Sequence, residues 1–242
     1  MRVLVVGGSG YVAGLVLPLL AERHQLRVLD LRRPPDGTDY VEGSATDYAT
    51  LRRATEGVDA VVHCAMAPEQ EVHTPGGAAA AFDVNVKSVH LTLLAAHDAG
   101  VPHAVHISSL SVYRDVTARR LDETVPPDAT DGYGLTKRLG EQVCRAATVE
   151  WGLSVTVLRL AWPTPDALWP AWGKRKRPRR LRAKDGTPIE ATAASDLAAA
   201  LLAALDHRDG YQVFTISGDR SAGLWSTARA REVLGWAPRF QP

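Results

Sequence analysis

Five short runs rich in Val, Leu and Ile, namely RVLVVG, LRVLD, DAVVHCA, HAVHIS and SVTVLRL, recur along the first two thirds of the chain. Segments of helical period separate them, near residues 10–22, 47–55, 77–99 and 131–151. Runs this uniformly apolar fit strands buried on both faces of a parallel sheet, not strands with one wet face. In the third helical segment Phe82, Val86, Val89, Leu93 and Ala96 recur at spacings of four and three, which predicts one apolar helix face. Strand followed by helix, repeated, predicts a doubly wound α/β sheet with right-handed crossovers. From Trp162 to about Glu190 the pattern gives way to a stretch with five prolines and three tryptophans. That is too long for an ordinary connector and is read as a lid, a binding loop or a partly disordered insert. Order then returns as a helix over 195–206, the strand YQVFTIS and a helix ending in REVLGW. The chain is therefore divided into 1–160, carrying the sheet, and 161–242, a lid loop and small C-terminal lobe completing the same domain.

At 242 residues, 45% apolar and 23% charged, the chain can bury one large core. The uncharged run from Val3 to Ala21 is cut by Gly7, Gly8, Ser9, Gly10 and Pro18. It reads as strand, turn and helix start, so no membrane span or export signal is expected and the placement is cytoplasmic. Cys64 and Cys144 stand alone, which predicts reduced core thiols with no disulfide framework and no metal site. The net charge of +1 hides an asymmetry, because KRKRPRRLR at 174–182 holds seven of the 28 basic residues. The remainder has 21 basic residues against 27 acidic ones, a net −6, which disfavours a nucleic-acid surface. The basic run itself can grip an anion or stay solvated.

Two sites of chemistry stand out. VLVVGGSGYVAG puts Gly7 and Gly10 directly after the first strand and at the mouth of a helix, where a side chain would block a pyrophosphate from the backbone. Asp30 ends the second strand 20 residues after Gly10, placed to accept hydrogen bonds from a ribose, which favours NAD over NADP. Arg32 and Arg33 follow and could attract a 2′-phosphate. The fourth strand ends in HISSLSVY, and YGLTK follows, with Tyr133 and Lys137 at i and i+4 on one helix face. A phenol that ionises near pH ~10 becomes a usable base when an ammonium stabilises its anion. Ser109 would hold a substrate hydroxyl beside it. His63, His103 and His106 lie on buried-looking strands and are read as satisfied core residues.

With GGSGYVAG, Asp30, DAVVHCAMAP, VNVKSVHLTLLAA, HISSLSVY, YGLTK, VLRLAW, ASDLA and LGWAP in this order, the chain resembles the extended (atypical) short-chain dehydrogenase/reductase superfamily, in its NAD-dependent epimerase/dehydratase branch. The resemblance implies a Rossmann-type sheet with a small substrate lobe. It implies Ser109, Tyr133 and Lys137 as catalytic residues, Ser109 being four residues before Tyr113. It places the cofactor against Gly7, Gly10, Tyr11, Val12, Asp30 and Arg32, then against Ser44, Ala45, Cys64, Ala65, Met66, Asn85, Tyr133, Lys137 and Trp162. Ser109, Ser111, Tyr133 and Trp162 would meet the substrate. The chain departs from the family pattern at Ser44, where many members have an acid, and at Trp162, where many have an asparagine. Its short substrate lobe is similar to that of uronate dehydrogenases and implies a smaller or more exposed, sugar-like substrate. A dehydratase is disfavoured because Leu110 and Ser111 stand where an acid pair is usual. The activity implied is NAD-dependent oxidation or reduction of a secondary alcohol or ketone, with epimerisation or NAD sensing without turnover as alternatives. The family also implies a homodimer paired through the helices at 77–99 and 131–151.

Overall fold

The computed structural model describes residues 1–34, 37–67, 72–173, 177–221 and 223–241. In chain order the elements are β1 (Arg2–Val6), α1 (Tyr11–Ala21), β2 (Gln25–Asp30), β3 (Asp39–Glu42), α2 (Tyr48–Thr55) and β4 (Ala60–His63). There follow α3 (Pro75–Phe82), a π-helical turn (Asp83–Lys87), α4 (Ser88–Asp98), β5 (His103–Ser109), α5 (Gly132–Trp151) and β6 (Ser154–Leu160). The last third holds the short strands β7 (Pro163–Thr164), β8 (Leu181–Arg182), β9 (Pro188–Ile189) and β10 (Thr192–Ala193), then α6 (Ala194–Asp206), β11 (Tyr211–Ile216) and α7 (Ala228–Leu234).

Seven strands form one parallel sheet in the order β11-β6-β5-β4-β1-β2-β3. Strand order reverses between β1 and β4, so the chain winds outward in both directions from that seam. In such sheets ligands bind beyond the carboxyl ends of the strands at the reversal. Val6 pairs with both Leu29 and His63, which brings the exits of β1, β2 and β4 to one rim. Ser109 pairs with Leu160 and extends that rim through β5 and β6.

Side-chain alternation explains the layers. Val3 and Val5 point to one face, packed with Val16, Leu20, Leu197 and Leu201 of α1 and α6. Leu4 and Val6 point to the other, packed with Leu51, Val89, Leu93 and Cys144 of α2, α4 and α5. Both faces are covered, as the unbroken apolar runs required. A third cluster, with Leu110, Tyr113, Leu181, Ile189 and Trp225, forms the core of the small lobe beside the rim.

Two features differ from the sequence reading. Phe82 and Val86 do not complete the expected apolar face: Phe82 is 44% exposed, while Val89, Leu93 and Ala96 are buried. The π-helical turn between them adds a residue to one turn and rotates what lies upstream out of register. The lobe is also smaller than the span 161–242, because β11 returns as the edge strand beside β6 and α6 packs on α1.

Candidate active site

Gly7 leaves β1 with φ of +80°, donates to Leu29 O at 2.8 Å, and passes so close to β4's exit that a Cβ would lie 2.5 Å from the Ala65 backbone. Glycine is therefore demanded by the fold itself. Gly10 N closes the turn on Gly7 O at 3.1 Å, and among the described residues no side chain caps the first amides of α1. Those donors open onto a cavity of about 710 Å³ bordered by Gly7, Gly10, Tyr11 and Val12. Ligand sites span about 300–1,000 Å³, so this volume is ample for an extended small molecule.

At the far end Asp30 borders the same cavity, its two carboxylate oxygens fixed by Ser9 N and Arg32 N, each at 3.0 Å. Arg32 folds back on the glycine turn, donating from its guanidinium to Ser9 O at 3.1 Å. Ser44 and Ala45 line the wall next to Gly43, with Ser44 Oγ held 2.8 Å from Thr46 Oγ1. Cys64, Ala65 and Met66 form the floor. Burial pushes the Cys64 thiol up to about 12, so it stays protonated. An amide-lined turn, a fixed carboxylate and an apolar floor along one trough fit a dinucleotide.

Ser109, Ser111, Tyr133, Lys137 and Trp162 line the other end of this cavity. Ser109 ends β5, and its Oγ accepts from Ser111 N at 3.1 Å, which fixes the turn after the strand. Asp131 caps α5 by accepting from Gly134 N at 2.9 Å. A Cβ at Gly134 would lie 2.3 Å from Ser111 O, so glycine at this position lets the first turn of α5 sit directly on the segment leaving β5. Tyr133 lies on that turn and borders the same cavity as Ser109, its hydroxyl 3.4 Å from Met66 Sδ. One turn on, Lys137 is buried at 3% exposure and donates to Ile107 O at 2.8 Å. Burial pulls its pKa down to about 8.

Trp162 has φ of +39°, an uncommon left-handed conformation for a large side chain, and its ring lies 5.2 Å from that of Trp225. Asn85 does not border the cavity. It sits buried on the π-helical turn, accepting from Ala67 N at 2.9 Å and donating to Thr136 Oγ1 at 3.0 Å, so it ties the floor to α5. His103 is satisfied by Ser154 O and Ala204 O. His63 meets Ser88 Oγ at 2.8 Å through Nε2 but is only half satisfied, since among the described residues its buried Nδ1 has no partner, and burial lowers its pKa to about 3. His106 departs from the expected pattern: it is buried, and among the described residues neither ring nitrogen has a hydrogen-bond partner.

Two buried charged residues, neither of which borders the cavity, escaped the sequence reading. Arg159, inside β6, forms a buried two-pronged ion pair with Glu141 at 2.9 and 2.7 Å and also donates to the Tyr113 hydroxyl. Ser108 Oγ donates to the same carboxylate at 2.7 Å. The available signal was Glu141 four residues after Lys137 on the same helix face, with an arginine in an otherwise apolar strand. Trp172 and, from the basic run read as able to grip an anion, Arg179 also border the cavity, while residues 174–176 of that run lie outside the described residues. Among the described residues no group of three or more metal-binding side chains occurs, and no helix is long and apolar enough to cross a membrane.

The chain is 30% identical over 171 residues to UDP-glucose 4-epimerase of Lactobacillus helveticus, covering 66% of this chain and 51% of the relative. It is 25% identical over 178 residues to human dTDP-D-glucose 4,6-dehydratase, covering 65% and 50%. It thus spans about half the length of these curated relatives. A short-chain dehydrogenase/reductase superfamily protein from Agrobacterium tumefaciens, solved with bound NAD, shares the fold with a TM-score of 0.83 at 23% identity, over 100% of this chain and 93% of that one. The sequence model of the family described as "NAD dependent epimerase/dehydratase family" matches residues 3–217, and the chain belongs to that family.

Proposed function

We propose that the protein uses NAD to oxidise or reduce a secondary alcohol or ketone on a sugar-like substrate. The observation that carries this reading is that Ser109, Tyr133 and Lys137 border one cavity together with the glycine turn and Asp30. NAD, when bound, supplies hydride transfer at its nicotinamide. The protein's part is proton handling and orientation. In the oxidative direction Ser109 Oγ holds the substrate hydroxyl, and the Tyr133 phenolate takes its proton as the C–H bond is broken. Lys137, one helical turn away, stabilises that phenolate by its charge. Asp30 supports NAD over NADP, because its carboxylate would repel a 2′-phosphate.

Transient oxidation followed by return of hydride, giving an epimer, is the second reading. The likeness to a UDP-glucose 4-epimerase favours it. Tyr133→Phe separates catalysis from binding: turnover of sugar acids and sugar nucleotides should fall by about 100-fold or more while NAD affinity holds. Full turnover in this variant would remove Tyr133 from the mechanism. Product analysis of the wild type, with and without accumulation of NADH, distinguishes net oxidation from epimerisation. A homodimer built on the helices at 77–99 and 131–151 is part of the proposal; the solvent-facing Val149 of α5, 81% exposed, is consistent with it. A monomeric mass at micromolar concentration would contradict that assembly.

A further inference from the structure

The loop between β7 and β8 comes back to the glycine turn. Tyr11, the first residue of α1, has its hydroxyl 3.0 Å from Pro163 O and 3.1 Å from Gly173 O. A phenol has one proton to donate, so the two carbonyls share it. Burial raises Tyr11 to about 12, which keeps that proton in place at any physiological pH. Gly173 follows Trp172, whose N–H and C=O both pair with Arg179, at 3.0 and 2.8 Å. A Cβ on Gly173 would lie 2.9 Å from Pro178 Cα, so the two sides of this small hairpin touch through a glycine. The Arg179 guanidinium lies over the Trp172 ring at 4.9 Å, and both side chains border the cavity. Among the described residues no carboxylate pairs with Arg179.

The base of the hairpin is thus fastened to the first turn of α1, the turn whose uncapped amides face the cavity. Arg179 on that hairpin borders the same cavity as the glycine turn, whose helix N-terminus favours an anion such as a pyrophosphate. We propose that Arg179, oriented by Trp172 and latched through Tyr11, closes over the cofactor's pyrophosphate from the lobe side, so that the lobe takes part in binding NAD as well as substrate. Arg179 is a binding residue in this scheme and Tyr11 a positioning residue. The inference rests on the family's use of NAD.

The test is calorimetric titration of the full chain with NAD and with ADP-ribose, which carries the same pyrophosphate and lacks nicotinamide. Arg179→Ala should weaken both by about tenfold, the size of one charged hydrogen bond, with the apo melting temperature unchanged because Arg179 is exposed. Arg179→Lys should recover part of the loss. Tyr11→Phe should weaken both ligands less, and combining it with Arg179→Ala should cost less than the sum of the two, as expected for residues acting as a unit. Unchanged NAD and ADP-ribose affinity in Arg179→Ala overturns the proposal. So does a rise in KM for acidic sugars alone, which would assign Arg179 to the substrate. Failure of the wild-type protein to bind NAD would overturn the cofactor reading itself, a different result from either of these.

Discussion

Lys137 is the residue on which catalysis and stability pull in opposite directions. The proposed chemistry needs its ammonium charged, yet burial lowers its pKa from the ordinary 10.5 to about 8. Between pH 8 and 10.5 the unfolded chain holds a proton at this site that the folded chain has lost, so stability rises with pH through that window. Below pH 8 the folded protein carries the whole cost of burying the charge, on the order of 3 kcal/mol. Lys137→Met should therefore be no less stable than wild type at pH 7, with an advantage that shrinks as pH rises past 8. Its turnover should fall by about 100-fold or more. Denaturant melts of both proteins at pH 7 and pH 10 test the sign; a variant markedly less stable than wild type at pH 7 would show that the Lys137–Ile107 hydrogen bond outweighs the burial cost.

At the level of elements, what was legible depended on how local the cause was. The strands with apolar runs announced themselves because each run is bounded by a turn residue, whereas edge strand β3, Asp39–Glu42, has no such run and went unread; α1, α2 and α5 were legible because their periods are unbroken. The helical run over 77–99 was recognisable, but its buried face was not. A period of four and three assumes 3.6 residues per turn throughout, and the π-helical turn at Asp83–Lys87 breaks that assumption. Nothing in DVNVK advertises such a turn, because its cause is tertiary: Asn85 must reach Ala67 N on one side and Thr136 on the other. That also explains why Asn85, assigned to the cofactor from the resemblance, lies behind the wall instead of on it. Asn85→Ala would leave Ala67 N unpaired in a buried place, at a cost of about 2 kcal/mol. Chemical denaturation should register that loss. Hydrogen exchange should show the amides of 83–88 losing protection first, since a π turn without its anchoring side chain has little reason to persist. Uniform loss of protection across α4 and α5 would argue that Asn85 supports the whole bundle instead.

On the scale of the molecule, the site is a seam between two bodies of unequal legibility. The sheet rim with Gly7, Asp30, Ser109, Tyr133 and Lys137 could be read from spacing, because strand exits and helix starts fix those positions along the chain. The facing wall was legible only as a basic run able to grip an anion, since Trp172 and Arg179 belong to a loop without period, and their placement depends on contacts made far away in sequence. One of those contacts involves the end of the described chain. Buried Asp196, in the first turn of α6, accepts from Arg239 N and Phe240 N at 2.8 and 3.1 Å, and Trp236 Nε1 donates to its carbonyl at 2.9 Å. Phe240 meets Trp169 edge-on at 5.6 Å, and Arg220 covers the same tryptophan at 5.2 Å. The segment after Trp236 therefore braces the loop that carries the hairpin. Asp196→Ala would release two backbone donors and the tail with them, costing about 1–3 kcal/mol, or a fall in Tm of about 2–12 °C for a chain of this size. If bracing is its function, NAD affinity should drop as well, although Asp196 does not border the cavity. The effect should disappear in a background that already carries Tyr11→Phe, because a hairpin already unlatched has no further order to lose. Additive losses in the double variant would mean that the tail and the latch support the wall independently.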